Sequence, residues 1–119
     1  MSNRKLMGVP YRARTDERHF LNLPGFHGGA YVVAYVEDTT SRGPLTCAKR
    51  QRNFEPRMIL EIADCTNRVN LEFDLDSMAR RENSLHKLDV LIATLCRFRS
   101  GLIAEFDQYD RRQSELDRR

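Results

Sequence analysis

The spacing of apolar residues in the last third of the chain predicts one long amphipathic helix over residues 77–117. Large apolar side chains recur there at alternating steps of three and four residues. They fall on one stripe because an α-helix completes a turn in about 3.6 residues. Asp76 and Ser77 are both suited to cap the first turn, since either side chain can accept a hydrogen bond from a helix amide. The stripe consists of Leu85, Leu88, Ile92, Leu95, Leu102, Phe106 and Tyr109.

Three stretches upstream of this helix have the pattern of β-strands. Residues 30–37 are mostly β-branched or aromatic and are apolar on both faces, as in a strand covered on both sides. Residues 67–74 alternate between apolar and polar, and in residues 57–63 Met58, Leu60 and Ile62 share one face. Pairing Ile62 with Val69 puts the apolar side chains of both segments on the same face. We therefore expect an α+β fold, with a small antiparallel sheet of about three strands packed against one long C-terminal helix.

The segments outside these elements predict the domain organisation. Residues 1–19 are rich in arginine and lack apolar periodicity, which indicates a basic flexible arm. Residues 20–119 then form a single α+β domain. A long loop over residues 42–57 separates the first strand from the hairpin, and loops of that length are commonly functional.

The length of the predicted helix indicates self-association. Forty residues extend over about 60 Å, whereas strands of seven or eight residues cover only about 25 Å. The helix therefore has to bend, for which Ser100 and Gly101 mark the easiest point, or to find a partner. In heptad terms Arg99 and Gln113 are polar core positions, which suits a dimer interface that sets its own register. We expect a homodimer through the stripe.

Composition and cysteine content narrow the class of protein. Charged residues make up 31% and apolar residues 40% of the 119 residues, which is ordinary for a globular protein. We expect no membrane association, since no apolar run reaches the roughly 18 residues of a membrane span. Cys47, Cys65 and Cys96 are odd in number and lack paired spacing, which favours a reducing cytoplasm over a disulfide framework.

Basic residues concentrate in the first half of the chain. Residues 1–57 hold ten Lys or Arg against five Asp or Glu, whereas residues 58–119 hold ten against twelve. A basic arm and loop can contact polyanions. The alternative hypothesis is therefore a regulator that binds nucleic acid through the arm and the 42–57 loop. Its candidate phosphate contacts are Arg12, Arg14, Lys49, Arg50 and Arg52.

The polar start of the helix contains the first candidates for chemistry. His86 follows Glu82 by four residues, so a carboxylate is available to orient the imidazole as a general base. A solvated i,i+4 pair explains the same spacing and is the preferred interpretation. The neighbouring polar side chains could also form a contact surface for a partner. These candidate contacts are Arg81, Asn83, Ser84, His86 and Lys87.

Neither a metal site nor an assembled catalytic site is predicted. No cysteine or carboxylate lies at metal-ligand spacing around His19 or His27, so we expect no metal and no cofactor. Gly-x-Ser-x-Gly, HExxH and P-loop patterns are all absent from the sequence. We therefore predict no catalytic residue and no enzymatic activity.

Two stretches of the chain have distinctive motifs. One is Leu-Asn-Leu-Pro-Gly-Phe-His at 21–27, followed by the valine-rich strand that ends in Glu-Asp-Thr at 37–39. The other begins with Asp-Cys-Thr at 64–66 and continues to Arg-Glu-Asn-Ser-Leu-His-Lys-Leu-Asp at 81–89. Together they resemble a group of small uncharacterised accessory proteins of actinobacterial phages, mycobacteriophages in particular. The resemblance covers roughly residues 20–110, and the group has no activity to carry over.

These observations together predict a non-enzymatic phage accessory protein that binds another macromolecule as a homodimer. The resemblance implies a place in the cytoplasm of a bacterial host, with a host or phage protein as partner. Two alternatives remain beside it. One is the nucleic-acid-binding regulator, and the other is a minor structural protein of the virion.

Overall fold

The computed structural model describes residues 4–6, 9–42 and 56–118, and the chain forms two compact units, Met1–Phe73 and Asp74–Arg119. The first unit is an antiparallel sheet and the second contains one long helix, so the predicted α+β class is confirmed. The described residues include no helix with the length and apolar character that crossing a bilayer requires.

The sheet runs in chain order, with each strand antiparallel to its neighbour. A short edge strand pairs with the start of the second strand, and the remaining four strands form the body of the sheet. A 3-10 turn, Thr39–Arg42, follows the third strand. The strands are β1 (Arg4–Leu6), β2 (Val9–Phe20), β3 (Tyr31–Asp38), β4 (Met58–Asp64) and β5 (Asn67–Leu71).

Strand β2 corrects the expectation of a flexible arm over residues 1–19. From Val9 onward this segment is a strand of 12 residues that pairs with β3, with a bulge between Ala13 and Thr15. Residues 14–19 of this strand are all polar, so this part of the sequence shows no alternation between apolar and polar positions. Backbone pairing with the strongly β-forming β3 supplies the order instead, and the Arg18 guanidinium lies 4.5 Å from the centre of the Tyr31 ring.

The β4–β5 hairpin has the predicted register. Leu60 pairs with Leu71 and Ile62 pairs with Val69, which places all four side chains on one face. The pairing of Asp64 with Asn67 leaves a two-residue loop. The hairpin is therefore tight, as its turn-forming residues predict.

The C-terminal helix, α1, extends over Met78–Asp117 and agrees with the predicted bounds within one residue. Ser77 is the cap, because its Oγ accepts a hydrogen bond of 3.1 Å from the Arg80 amide. Asp76 supports the same turn through a 2.7 Å ion pair with Arg80. The helix is uninterrupted at Ser100 and Gly101.

Few side chains are buried in the described part of the chain. The buried apolar residues are Ala13, Ala30, Tyr35 and Ala63, all in or beside the sheet, and Tyr35 is the only large side chain among them. Helix α1 contains no buried residue. Most of the large apolar side chains of the helix therefore remain available for contacts.

Candidate functional site

The apolar residues of α1 form the largest candidate surface. Eleven of them, from Met78 to Leu116, are each between 40% and 68% exposed. Six of the seven residues of the predicted stripe belong to this group, and the seventh, Leu88, is half-buried. We call this group the helix apolar surface: Met78, Leu85, Val90, Ile92, Leu95, Phe98, Leu102, Ile103, Phe106, Tyr109 and Leu116.

Charges along α1 are unevenly placed. Residues 78–97 hold four basic and two acidic side chains, whereas residues 98–117 hold three basic and five acidic ones. The first turn contains no acidic residue and the last turn no basic one. This arrangement is unfavourable for a helix by itself, because the positive end of the dipole favours acidic groups and the negative end basic ones.

The polar residues predicted to contact a partner fall into two groups, those that bond to the backbone before the helix and those for which no such bond is described. Arg81 donates a 2.7 Å hydrogen bond from Nε to the Leu75 carbonyl, and Ser84 donates one of 2.7 Å to the Asp74 carbonyl. These two side chains tie the segment before the helix to its first turns. Asn83 and His86 are exposed, and Lys87 is half-buried.

The candidate phosphate contacts are only partly described. Arg14 forms a 3.4 Å ion pair with Asp38, so its charge is already partly balanced. Hydrogen bonds from the Thr40 hydroxyl and amide, followed by the charges of Arg14 and Arg12, hold the pKa of Asp38 below its ordinary value. The other three candidates, Lys49, Arg50 and Arg52, lie outside the described residues.

A second site lies where the β2–β3 connection meets the tip of the β4–β5 hairpin. The side chains of His27, Asp64 and Cys65 meet there, and one ligand-type atom from each lies within 4.8 Å of the other two. His27 Nε2 is 3.6 Å from Asp64 Oδ1. Cys65 Sγ is 3.8 Å from both ring nitrogens of His27. We call these three residues the His–Asp–Cys cluster.

Backbone contacts hold the two loops of this cluster together. The amide of Cys65 donates a 3.1 Å hydrogen bond to the Gly29 carbonyl. Asn22 donates from Nδ2 to the His27 carbonyl at 3.0 Å, and the Gly29 amide donates to His27 Nδ1 at 3.3 Å. Cys65 itself has a positive φ of 55°, as the first position of a primed hairpin turn requires.

The exposed cluster is a poor nucleophilic dyad in this geometry. The Cys65 sulfur is equally distant from the two imidazole nitrogens, so it is not aligned with the lone pair of either one. A general base must be within hydrogen-bond reach of the proton that it abstracts. The donor types, however, are those of a transition-metal site, since thiolate, imidazole and carboxylate all bind such ions.

The cluster was not predicted from the sequence, because its ligands are not at the short spacing that indicates a metal site. His27 and Cys65 are separated by 38 positions, and only the sheet order brings them together. The available signal was topological. In an antiparallel sheet the start of β3 lies beside the end of β4, as the pairing of Tyr31 with Ala63 shows, so the residues just outside both strands become neighbours.

The connection that carries His27 also exposes apolar side chains. Phe20, Leu21, Leu23 and Phe26 are between 53% and 73% exposed. They come just before the His–Asp–Cys cluster in the chain, and they belong to the same unit. This segment is a further apolar surface on the sheet unit.

No protein-family model, curated protein or solved structure matches this chain.

Proposed function

We propose that this protein is a non-enzymatic binding protein that acts as a homodimer, with the helix apolar surface as its dimer interface. The observation that supports this best is the exposure of eleven large apolar side chains along one 40-residue helix. In the proposal, the paired helices form the centre of the dimer. The two sheet units then carry the surfaces that contact a further macromolecule.

The free energy gained when exposed apolar surface is buried between two copies favours this assignment. Removing apolar surface from water stabilises a complex by about 25 cal/mol per Å², and monomeric proteins rarely expose continuous apolar patches of more than a few hundred Å². The stripe residues within the helix apolar surface repeat at the spacing of a coiled-coil seam. A second helix of the same kind has the length and the periodicity to cover it.

The charges of α1 favour an antiparallel second copy as the occupant. An antiparallel pair places the basic first half of one helix beside the acidic second half of its partner. A parallel pair would instead put like charges together at each end. The antiparallel arrangement also offsets the unfavourable charges in the first and last turns of α1.

A specific register follows from this arrangement. With the two-fold axis near Arg97, Ile92 packs against Leu102 of the second copy, and Leu85 packs against its Tyr109. Arg99 then lies opposite Leu95 of the second copy. The apolar positions are therefore matched, and Arg99, the one charged residue at a core position of each stripe, disfavours shifted registers.

Molar mass in solution tests the proposal. The full chain, at micromolar concentration, is expected to show twice the 13.9 kDa subunit mass by multi-angle light scattering. The double variant Ile92→Glu/Leu102→Glu places like charges opposite each other in the seam and should be monomeric. The matched control Ala93→Glu/Ala104→Glu adds the same charges on the opposite side of the helix and should remain dimeric.

Two results would overturn the assignment. One is a single-subunit mass for the unchanged protein across the micromolar range. The other is a dimer that persists in Ile92→Glu/Leu102→Glu, with helix content by circular dichroism equal to that of the control.

A further inference from the structure

We propose that the His–Asp–Cys cluster binds one Zn²⁺ ion, with His27, Asp64 and Cys65 as protein ligands and water at the fourth position. This assignment is independent of the helix pair, because all three residues belong to the sheet unit. It adds a metal site that residue spacing alone gives no reason to expect.

The observed distances are close to those of a tetrahedral zinc site. Bond lengths of about 2.0 Å to nitrogen and oxygen and about 2.3 Å to sulfur imply N···O of about 3.3 Å and N···S of about 3.5 Å in a tetrahedron. The corresponding distances are 3.6 Å from His27 Nε2 to Asp64 Oδ1 and 3.8 Å from the same nitrogen to Cys65 Sγ. Cys65 Sγ is also 3.8 Å from His27 Nδ1, so the imidazole has to rotate before the lone pair of Nε2 faces the thiolate. The half-exposed His27 side chain leaves room for that rotation.

The backbone around the cluster is organised in advance. Asp64 ends β4 and Cys65 occupies the first position of a two-residue loop, so both backbones are fixed by the hairpin. The 3.1 Å bond from the Cys65 amide to the Gly29 carbonyl holds that loop against the segment carrying His27. The Asn22 amide group holds the His27 carbonyl at 3.0 Å. Binding therefore orders three side chains and little backbone, which keeps its entropic cost small.

The donor set selects the kind of metal. A thiolate and an imidazole are poor ligands for Mg²⁺ and Ca²⁺, which prefer oxygen. Zn²⁺ accepts sulfur, nitrogen and oxygen together in tetrahedral geometry, and Co²⁺ accepts the same geometry. Three protein ligands leave one open position, and the exposure of all three residues gives water access to it.

Protons leave the cluster when the metal binds. The Gly29 amide donates to His27 Nδ1, which places the proton of the neutral ring on Nε2, beside Asp64. Metal at Nε2 requires that proton on Nδ1 instead, which gives up the hydrogen bond from the Gly29 amide, and the Cys65 thiol loses its proton to solvent. We therefore expect metal affinity to rise with pH.

Cobalt titration of the full, reduced chain tests the site. Co²⁺ should bind with one ion per chain, give the visible bands of tetrahedral cobalt and a thiolate-to-cobalt charge-transfer band, and be displaced by Zn²⁺. Cys65→Ser should abolish the charge-transfer band. Cys65→Ser, His27→Ala and Asp64→Asn should each weaken Zn²⁺ binding by at least about tenfold, since even outer-shell changes cost that much.

Matched controls separate this site from adventitious binding. His19→Ala removes an exposed histidine on β2, and Cys96→Ser and Cys47→Ser remove the other two thiols. All three should retain the affinity and the absorption bands of the unchanged protein. Circular dichroism of every variant shows whether a loss of binding comes from unfolding.

The proposal is overturned if a large excess of Co²⁺ produces no thiolate band. It is equally overturned if folded Cys65→Ser and His27→Ala bind Zn²⁺ as tightly as the unchanged protein does. A loss of the band in Cys96→Ser or Cys47→Ser, with Cys65 intact, would assign the thiolate elsewhere and also reject it.

Discussion

Glu37 and Arg57 are joined by two hydrogen bonds at the end of the β3–β4 ladder. The Glu37 amide donates to the Arg57 carbonyl at 2.8 Å, and Glu37 Oε1 accepts from the Arg57 amide at 2.9 Å. Only 2% of Glu37 is exposed. A buried carboxylate therefore takes the place of a strand carbonyl and extends the pairing by one residue.

Removing this carboxylate should destabilise the sheet. Glu37→Ala leaves the Arg57 amide without its acceptor and opens space beside Ala13, which pairs with Glu37 in the sheet. We expect a loss of about 1–3 kcal/mol in the free energy of unfolding. Urea unfolding followed by tyrosine fluorescence measures it, because Tyr31 and Tyr35 lie in β3 and the chain has no tryptophan.

The matched variant is Glu37→Gln, whose amide oxygen still accepts the Arg57 hydrogen bond and should therefore cost less. Glu17→Ala, which removes an exposed carboxylate on β2, serves as the surface control. Equal losses in Glu37→Ala and Glu17→Ala would show that the Arg57 bond contributes nothing to stability.

Lowering the pH should remove the stabilising contribution of the neighbouring carboxylate, Asp38. Its pKa lies below the ordinary 3.8, first because of the Thr40 hydroxyl at 2.6 Å and then because of the Thr40 amide and the two arginines. A carboxyl group with a lowered folded-state pKa stabilises the fold above its unfolded pKa. That contribution is lost as pH falls through the folded value. We expect Thr40→Val to move the pKa of Asp38 back towards 3.8.

Carboxyl-carbon NMR titration of Asp38 measures this shift directly. Thr39→Val is the control, since it removes the adjacent hydroxyl and leaves both Thr40 bonds in place. An unchanged Asp38 titration in Thr40→Val would mean that the hydroxyl is not the main cause of the lowered pKa.

The elements differ in how far the sequence alone predicts them. Helix α1 was predicted within one residue because its apolar spacing and its Ser77 cap are local signals. The β4–β5 register followed from alternation. Strand β2 was missed because its order comes from pairing with β3, a partner well separated in the chain.

The same limit applies to the His–Asp–Cys cluster. His27 lies in a connection and Asp64 and Cys65 at a hairpin tip, so the histidine is far in sequence from the other two residues. Their proximity depends on the order of strands in the sheet and on the bond from the Cys65 amide to Gly29. Both are long-range features, and no local pattern encodes them. The helix apolar surface, in contrast, was visible from spacing alone.

The cap of α1 should set the stability of its first turns. Ser77→Ala removes the oxygen that accepts the Arg80 amide at 3.1 Å, and we expect a cost of about 1 kcal/mol. Ser77→Asp keeps an acceptor and adds a negative charge at the helix start, so it should match or exceed the stability of the unchanged protein.

Amide hydrogen exchange over residues 78–84 measures the effect where it occurs. Protection should fall in Ser77→Ala, be retained in Ser77→Asp, and be unchanged near the C-terminal end of α1 in both. Uniform loss of protection along the whole helix in Ser77→Ala would contradict a local capping role.

The orientation of the proposed helix pair gives the sharpest test of the charge argument. In a cysteine-free background, Ala79→Cys carries a spin label near the start of α1. In an antiparallel pair with its axis near Arg97, residue 79 of one copy lies opposite residue 115 of the other. The two labels are then about 50 Å apart, because residues 79 and 115 are 36 positions apart at about 1.5 Å each. A parallel pair brings them to about the interhelical distance of 8–10 Å, extended by the label arms.

Mixed dimers supply the complementary distance. When Ala79→Cys chains are combined with Ser114→Cys chains, the antiparallel pair brings the two labels close together and the parallel pair separates them by about 50 Å. Double electron–electron resonance measures the long distances and continuous-wave line broadening the short ones. Short 79–79 distances would reject the antiparallel register while leaving the dimer itself intact. The charge distribution along α1 would then need another partner to balance it.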